Sequence, residues 1–196
     1  MARWSPKLKY FIDEVRERKE GEGVLESFFE NRAFIPESEQ DRRDYEEFSL
    51  ITSSMALLIH VAKANKVVSK EEKERIISDL MFQLEQRRFE YEKLSDSFGN
   101  DDREIIENLF ELLLKEYEDE QLDLDESIRL INKIYRENLE KRYYILRLCL
   151  YCAYSDKDFD EDEEKAVKDL AEKLHIPEKE LKRIEEEVRK ELKLDK

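Results

Sequence analysis

Glycine and proline are nearly missing, with three of each in 196 residues. Gly21, Gly23, Gly99, Pro6, Pro36 and Pro177 all fall between periodic apolar segments, so they punctuate helices and do not shape a turn-rich β fold. Alternating apolar and polar runs are also absent, whereas i, i+3, i+4 spacing recurs throughout, and the expected class is all-α. The two cysteines, Cys149 and Cys152, exclude a disulfide framework. They spell CxxC inside an apolar helix with no second pair for zinc, which makes them core thiols. Only two histidines occur, His60 and His175, and neither has a sequence partner that suggests catalysis. The single ExxH at Glu172 to His175 cannot build a di-iron bundle, which needs that motif twice. No Gly-rich phosphate loop, HExxH or Ser-His-Asp arrangement is present, so no catalytic constellation can be named.

Long apolar runs are lacking too. The longest lies within MALLIHVA (55–62), far short of the ~20 residues of a spanning helix, and the start MARWSPKLKYFIDE has no signal-peptide pattern. A cytoplasmic protein without direct membrane insertion is expected. Positive charge is sparse: no basic stretch exceeds the Arg42-Arg43 and Arg87-Arg88 pairs. The net charge of -15 repels phosphate backbones, which argues against nucleic acid as a partner and for cations or basic protein surfaces.

What is present is core-forming material under a charged coat, with 40% hydrophobic and 44% charged residues. Such a length supports one well-buried domain, or one domain with an extension. The periodicity predicts helices near 5–20, 23–32, 38–64, 70–94, 101–120, 125–137, 138–155, 161–174 and 178–193. Segments 48–64 and 138–155 are apolar around most of their circumference, which marks two central, buried helices. Leu139, Tyr143, Leu146, Leu150 and Ala153 form one stripe of the second.

A shift of 91 residues lays LLIHVAKANKVVSKEEKERI (57–76) over LCLYCAYSDKDFDEDEEKAV (148–167), an internal repeat. Leu57 meets Leu148, Ala62 meets Ala153, Asn65 meets Asp156, Lys66 meets Lys157 and Glu72 meets Glu163. Each copy reads as an apolar helix ending in small residues, a polar turn with one apolar plug (Val68 or Phe159), and a new helix opened by a capping box, Ser69 with Glu72 or Asp160 with Glu163.

Seven of the nine residues from Asp156 to Glu164 are acidic. Asp156, Asp158 and Asp160 imitate the first ligands of an EF-hand, but the sixth position holds Glu161 where Gly is needed, and the twelfth holds Val167 where a bidentate Glu is needed. A helix start explains most of the run, because carboxylates complement the positive end of the macrodipole. It does not explain why Asp or Asn recurs seven residues before Glu in both copies, which leaves a looser oxygen-ligand site for a hard cation open.

These duplicated turns, together with the segment 122–184, resemble the TerB-like tellurite-resistance fold, which also includes the N-terminal domain of the DjlA co-chaperone. The resemblance covers roughly 48–190. It implies a compact multi-helix bundle with an internal pseudo-twofold repeat, and a divalent-cation site, for calcium or magnesium, formed by Asn65 and Glu72 of the first copy and Asp156 and Glu163 of the second. The sequence departs from the family pattern at Lys66 and Lys157, where Gly usually follows the Asp, and at Asn65, which lacks the charge. The J domain's His-Pro-Asp tripeptide does not occur. Residues 1–47 fall outside the resemblance and are expected to be a helical extension of a 48–196 domain.

Three functional readings follow. The first is a non-enzymatic TerB-like interaction or scaffold domain in a stress response, with a protein partner and cation binding linked to it. The second is a metal-dependent enzyme using the acidic cluster. The third is a structural helical module that forms a homo-oligomer through 1–47.

Overall fold

The computed structural model describes residues 37–64, 68–91, 100–155 and 160–194, and every regular element among them is a helix. There are seven: α1 (Glu39–Ala62), α2 (Lys70–Tyr91), α3 (Asn100–Glu118), α4 (Leu124–Ile134), α5 (Leu139–Ala153), α6 (Glu161–Lys173) and α7 (Glu178–Glu191). The all-α expectation holds, and each of these helices lies within a few residues of a predicted one. The helices expected at 5–20 and 23–32 lie outside the described residues.

α1 opens with a capping box, in which Ser38 Oγ accepts from the Asp41 amide at 3.0 Å and Asp41 Oδ2 accepts from the Ser38 amide at 3.2 Å. From Phe48 to Ala62 every side chain is buried except His60, which is partly so. Burial on all sides needs neighbours on all sides, and α1 packs on α2, α3, α4, α5 and α6, most extensively on α4. The buried stretch includes Ser49, Thr52, Ser53 and Ser54. Thr52 returns its hydroxyl proton to the Phe48 carbonyl at 2.8 Å, an intrahelical route that satisfies a buried donor. α5 is the second central helix, contacting α1, α2, α6 and α7. Leu139, expected on its apolar stripe, is 45% exposed because it is the first helical residue, ahead of the turns that face the core.

The 91-residue register reappears in backbone geometry. α1 and α5 end at Ala62 and Ala153, and α2 and α6 begin at Lys70 and Glu161. The exits match bond for bond: the Lys63 amide donates to the Ile59 carbonyl as Tyr154 does to Leu150, and Ala64 to Val61 as Ser155 does to Cys152. The packing also comes in matched pairs. α1 meets α2 and α3 as α5 meets α6 and α7; α2 meets α3 as α6 meets α7; α2 crosses to α5 and α6 to α1.

Glycine poverty leaves a mark on the helix ends. Glu120, His175 and Lys193 hold φ of 57°, 56° and 57°. Each sits in a Schellman-type cap, with the Gln121, Ile176 and Leu194 amides donating back to Glu116, Ala171 and Arg189 at 2.8, 2.8 and 2.9 Å. A side chain in the left-handed region costs about 1 kcal/mol that glycine would not. α6 has a further clamp. Buried Arg142 of α5 donates to the Leu174 carbonyl at 2.9 Å, and Asn132 of α4 donates to the Lys173 carbonyl at 3.0 Å, so a cation sits at the negative end of that helix.

Candidate functional site

Two of the four expected ligands, Asn65 and Asp156, lie outside the described residues. Glu72 and Glu163 are the third helical residues of α2 and α6, and both are fully buried at 0% exposure. That is unusual for a glutamate, and the capping boxes account for the first part of it. The Ser69 amide donates to Glu72 Oε2 at 2.6 Å while the Glu72 amide donates to Ser69 Oγ at 3.1 Å. Ninety-one residues on, the Asp160 amide donates to Glu163 Oε2 at 3.2 Å and the Glu163 amide donates to Asp160 Oδ1 at 2.9 Å. Asp160 Oδ1 also accepts from the Asp162 amide at 2.9 Å. Both boxes are those expected from Ser69, Glu72, Asp160 and Glu163, and each folds a carboxylate back over its own helix start.

The rest of the described acidic run behaves as a solvated helix N-terminus. Glu161 and Asp162 are exposed, and Glu164 pairs with Lys168 one turn on. Only Glu163 turns inward, and sequence charge alone could not single it out from its neighbours.

What the two buried carboxylates share is Cys152, in the last turn of α5. Both thiols are buried and unbridged. Burial pushes the Cys149 thiol up to about 12. Cys152 is driven well above the usual thiol range, first by burial and then by its acidic neighbours Glu72, Cys149, Asp79 and Glu163. A carboxylate from each half therefore acts on the same sulfur, at the end of α5. Neither thiol has thiolate character for redox chemistry, in keeping with the core reading.

Asp79 belongs to the same neighbourhood. Its Oδ2 accepts from Arg75 Nε at 2.8 Å, yet burial outweighs that bond and raises its pKa. Among the described residues no group of three or more His, Cys, Asp or Glu side chains is arranged to hold a metal ion. The caps engage Oε2 of Glu72 and Glu163, and a carboxylate carries a second oxygen that can serve a hard cation. Two such oxygens fit a cation only with further donors, and the positions assigned to these are Asn65 and Asp156.

The sequence offers His60 no partner that suggests catalysis, and in the fold its Nδ1 lies 3.0 Å from the Tyr117 hydroxyl on α3. Burial is the main reason its pKa is lowered; Asp169 pulls it up and Lys173 pushes it down. A tyrosine 57 residues away carries no local signal, so only the fold reveals the pair. His175 and Glu172 are both exposed, and His175 serves the helix cap described above.

Comparison with protein families gives a match to the model described as "Tellurite resistance protein TerB" over residues 52–186. No curated protein and no solved structure matched the chain. Among the described residues, no helix is long and apolar enough to cross a membrane.

Proposed function

The chain belongs to the TerB family, and from that premise we propose that it is a non-enzymatic interaction domain whose two capping turns share one divalent cation. The observation that carries this reading is the burial of Glu72 and Glu163 at equivalent helix starts, with the charges of both reaching Cys152. In this reading the two halves are related by a pseudo-twofold axis. The matched helix exits, caps and packing pairs support that relation. In this reading Asn65 and Asp156 supply oxygens together with Glu72 and Glu163. Oxygen ligands favour calcium or magnesium over softer ions. A cation held between the halves would fix how α2 and α6 sit against each other, which is how binding would be linked to recognition of a protein partner in a stress response in the cytoplasm.

Calorimetric titration with calcium, magnesium, manganese and zinc tests the cation. The parent is expected to bind calcium or magnesium, and the Asp156→Asn, Glu163→Gln double variant to give no heat. Absence of heat for every metal with the parent would sink the cation part of the reading.

A further inference from the structure

A cleft of about 720 Å³ opens between the first half of α2, the end of α5 and the residues that follow α7. That volume lies within the ~300–1,000 Å³ range of ligand-binding clefts. Its walls differ in chemistry. Leu192 and Leu194 form an apolar side, Tyr151 and Tyr154 supply aromatic surface, and Glu71 and Glu74 stand on the α2 side with Asp79. Lys70 and Arg75 are the cations of the lining, and Arg75 is already committed: its Nε donates to Asp79, and its guanidinium lies 4.6 Å from the Tyr151 ring centre. Glu74 is likewise held, by Arg103 of α3 at 2.8 and 3.0 Å. Three acids thus face two bases along the cleft, and of the three Asp79 is the one that is partly buried.

Two polar groups lack their full complement of partners. Ser155 Oγ is buried with no hydrogen-bond partner. Asp79 is held by Arg75 through one hydrogen bond, Nε to Oδ2, where a guanidinium can give two. Burial raises its pKa in spite of that contact, so an added donor would stabilise its charged form. Tyr151 and Tyr154 are anchored from behind by Glu191 and Glu185, which holds the aromatic wall in place.

We propose that this cleft docks a short basic, aliphatic segment of a partner protein, a lysine or arginine reaching Asp79 and Ser155 while flanking aliphatic side chains lie on Leu192 and Leu194. The inference rests on the reading of the chain as an interaction domain. Charge complementarity selects the partner: a chain of net charge -15 with an acidic cleft attracts a basic segment and repels an acidic one. Position ties it to the cation reading, because the lining residues Ser155 and Glu71 immediately precede Asp156 and Glu72 in the sequence.

The test is fluorescence anisotropy at physiological salt, using the full chain and a labelled hexapeptide of alternating lysine and leucine. Saturable binding is expected, with none for the glutamate–leucine counterpart. Asp79→Asn should weaken it at least tenfold, and Leu194→Lys, at the edge of the cleft where folding is least at risk, should do the same. Glu137→Gln, an exposed change on the α4–α5 connection, should leave it unchanged. Equal affinity of Asp79→Asn, Leu194→Lys and Glu137→Gln would show attraction by net charge alone and overturn the proposal. So would displacement by spermine as effective as by unlabelled peptide, which would mark a small-amine site, or a failure of the parent to bind. If calorimetry finds the cation and the peptide does not bind, only the cleft falls. If the peptide binds and no cation does, the cleft stands and the shared-cation reading falls.

Discussion

The two capping turns share their helix exits and their caps and differ in charge. The first runs from Ala62 to Glu72 and the second from Ala153 to Glu163, with the same helix exits and the same reciprocal caps at a spacing of 91 residues. Yet Asn65 stands where the second has Asp156, Ser69 where it has Asp160, and Val61 where it has Cys152. The described exits and caps match while the side chains differ. A neutral Ser suffices for a cap, whereas the extra carboxylates of the second turn go beyond what capping requires. Both turns retain the buried Glu, at 0% exposure in each.

The largest expected difference between the halves comes from Arg142. Its counterpart in register is Ile51, so the first half has no cation at the position from which Arg142 clamps the end of α6. Arg142→Met should destabilise the protein by about 2–3 kcal/mol, because the buried Leu174 carbonyl loses a charged donor. Urea unfolding measures it, and a loss under about 0.5 kcal/mol would mean that the clamp is incidental. The caps come next. Ser69→Ala and Asp160→Ala should each cost about 1 kcal/mol, with Asp160 the costlier, since it accepts from two amides at 2.9 Å and carries charge at a helix N-terminus. Equal losses would erase the distinction drawn between the turns.

Smaller effects probe features outside the repeat. His175→Gly should stabilise by up to about 1 kcal/mol by relieving the left-handed conformation at the end of α6, read as a higher urea midpoint. His60 should shape the acid side of the stability curve. Its folded pKa is depressed, so below its unfolded value near 6.5 the unfolded chain binds the proton more readily. Stability should therefore fall as pH drops through and below that value, and His60→Gln should flatten this part of the curve. An unchanged slope would assign the acid loss to carboxylates instead.

Helix class, the two central helices and both capping boxes were legible in the sequence, because each is encoded by neighbours within a turn or two: Ser69 with Glu72, and the apolar circumference of 48–64. The register of 91 was legible for the same reason. Long-range pairs were not. Nothing near His60 announces Tyr117, and nothing near Leu174 announces Arg142, since such contacts are set by how helices cross and not by periodicity. The burial of Glu163 was half legible: its spacing marked it as a cap residue, but seven acids in nine residues hid which one turns inward. The cleft was not legible at all, being assembled from α2, α5 and the chain after α7.

The shared cation is tested most directly by its stoichiometry and by which turn it depends on. Titrations of the parent, Glu72→Gln, Glu163→Gln and the double variant, each with calcium and with magnesium, measure both. The account predicts one ion per chain, lost on substitution in either turn, with the double variant no worse than either single one. Two ions per chain, each lost with its own glutamate alone, or binding untouched by Glu72→Gln, would contradict it.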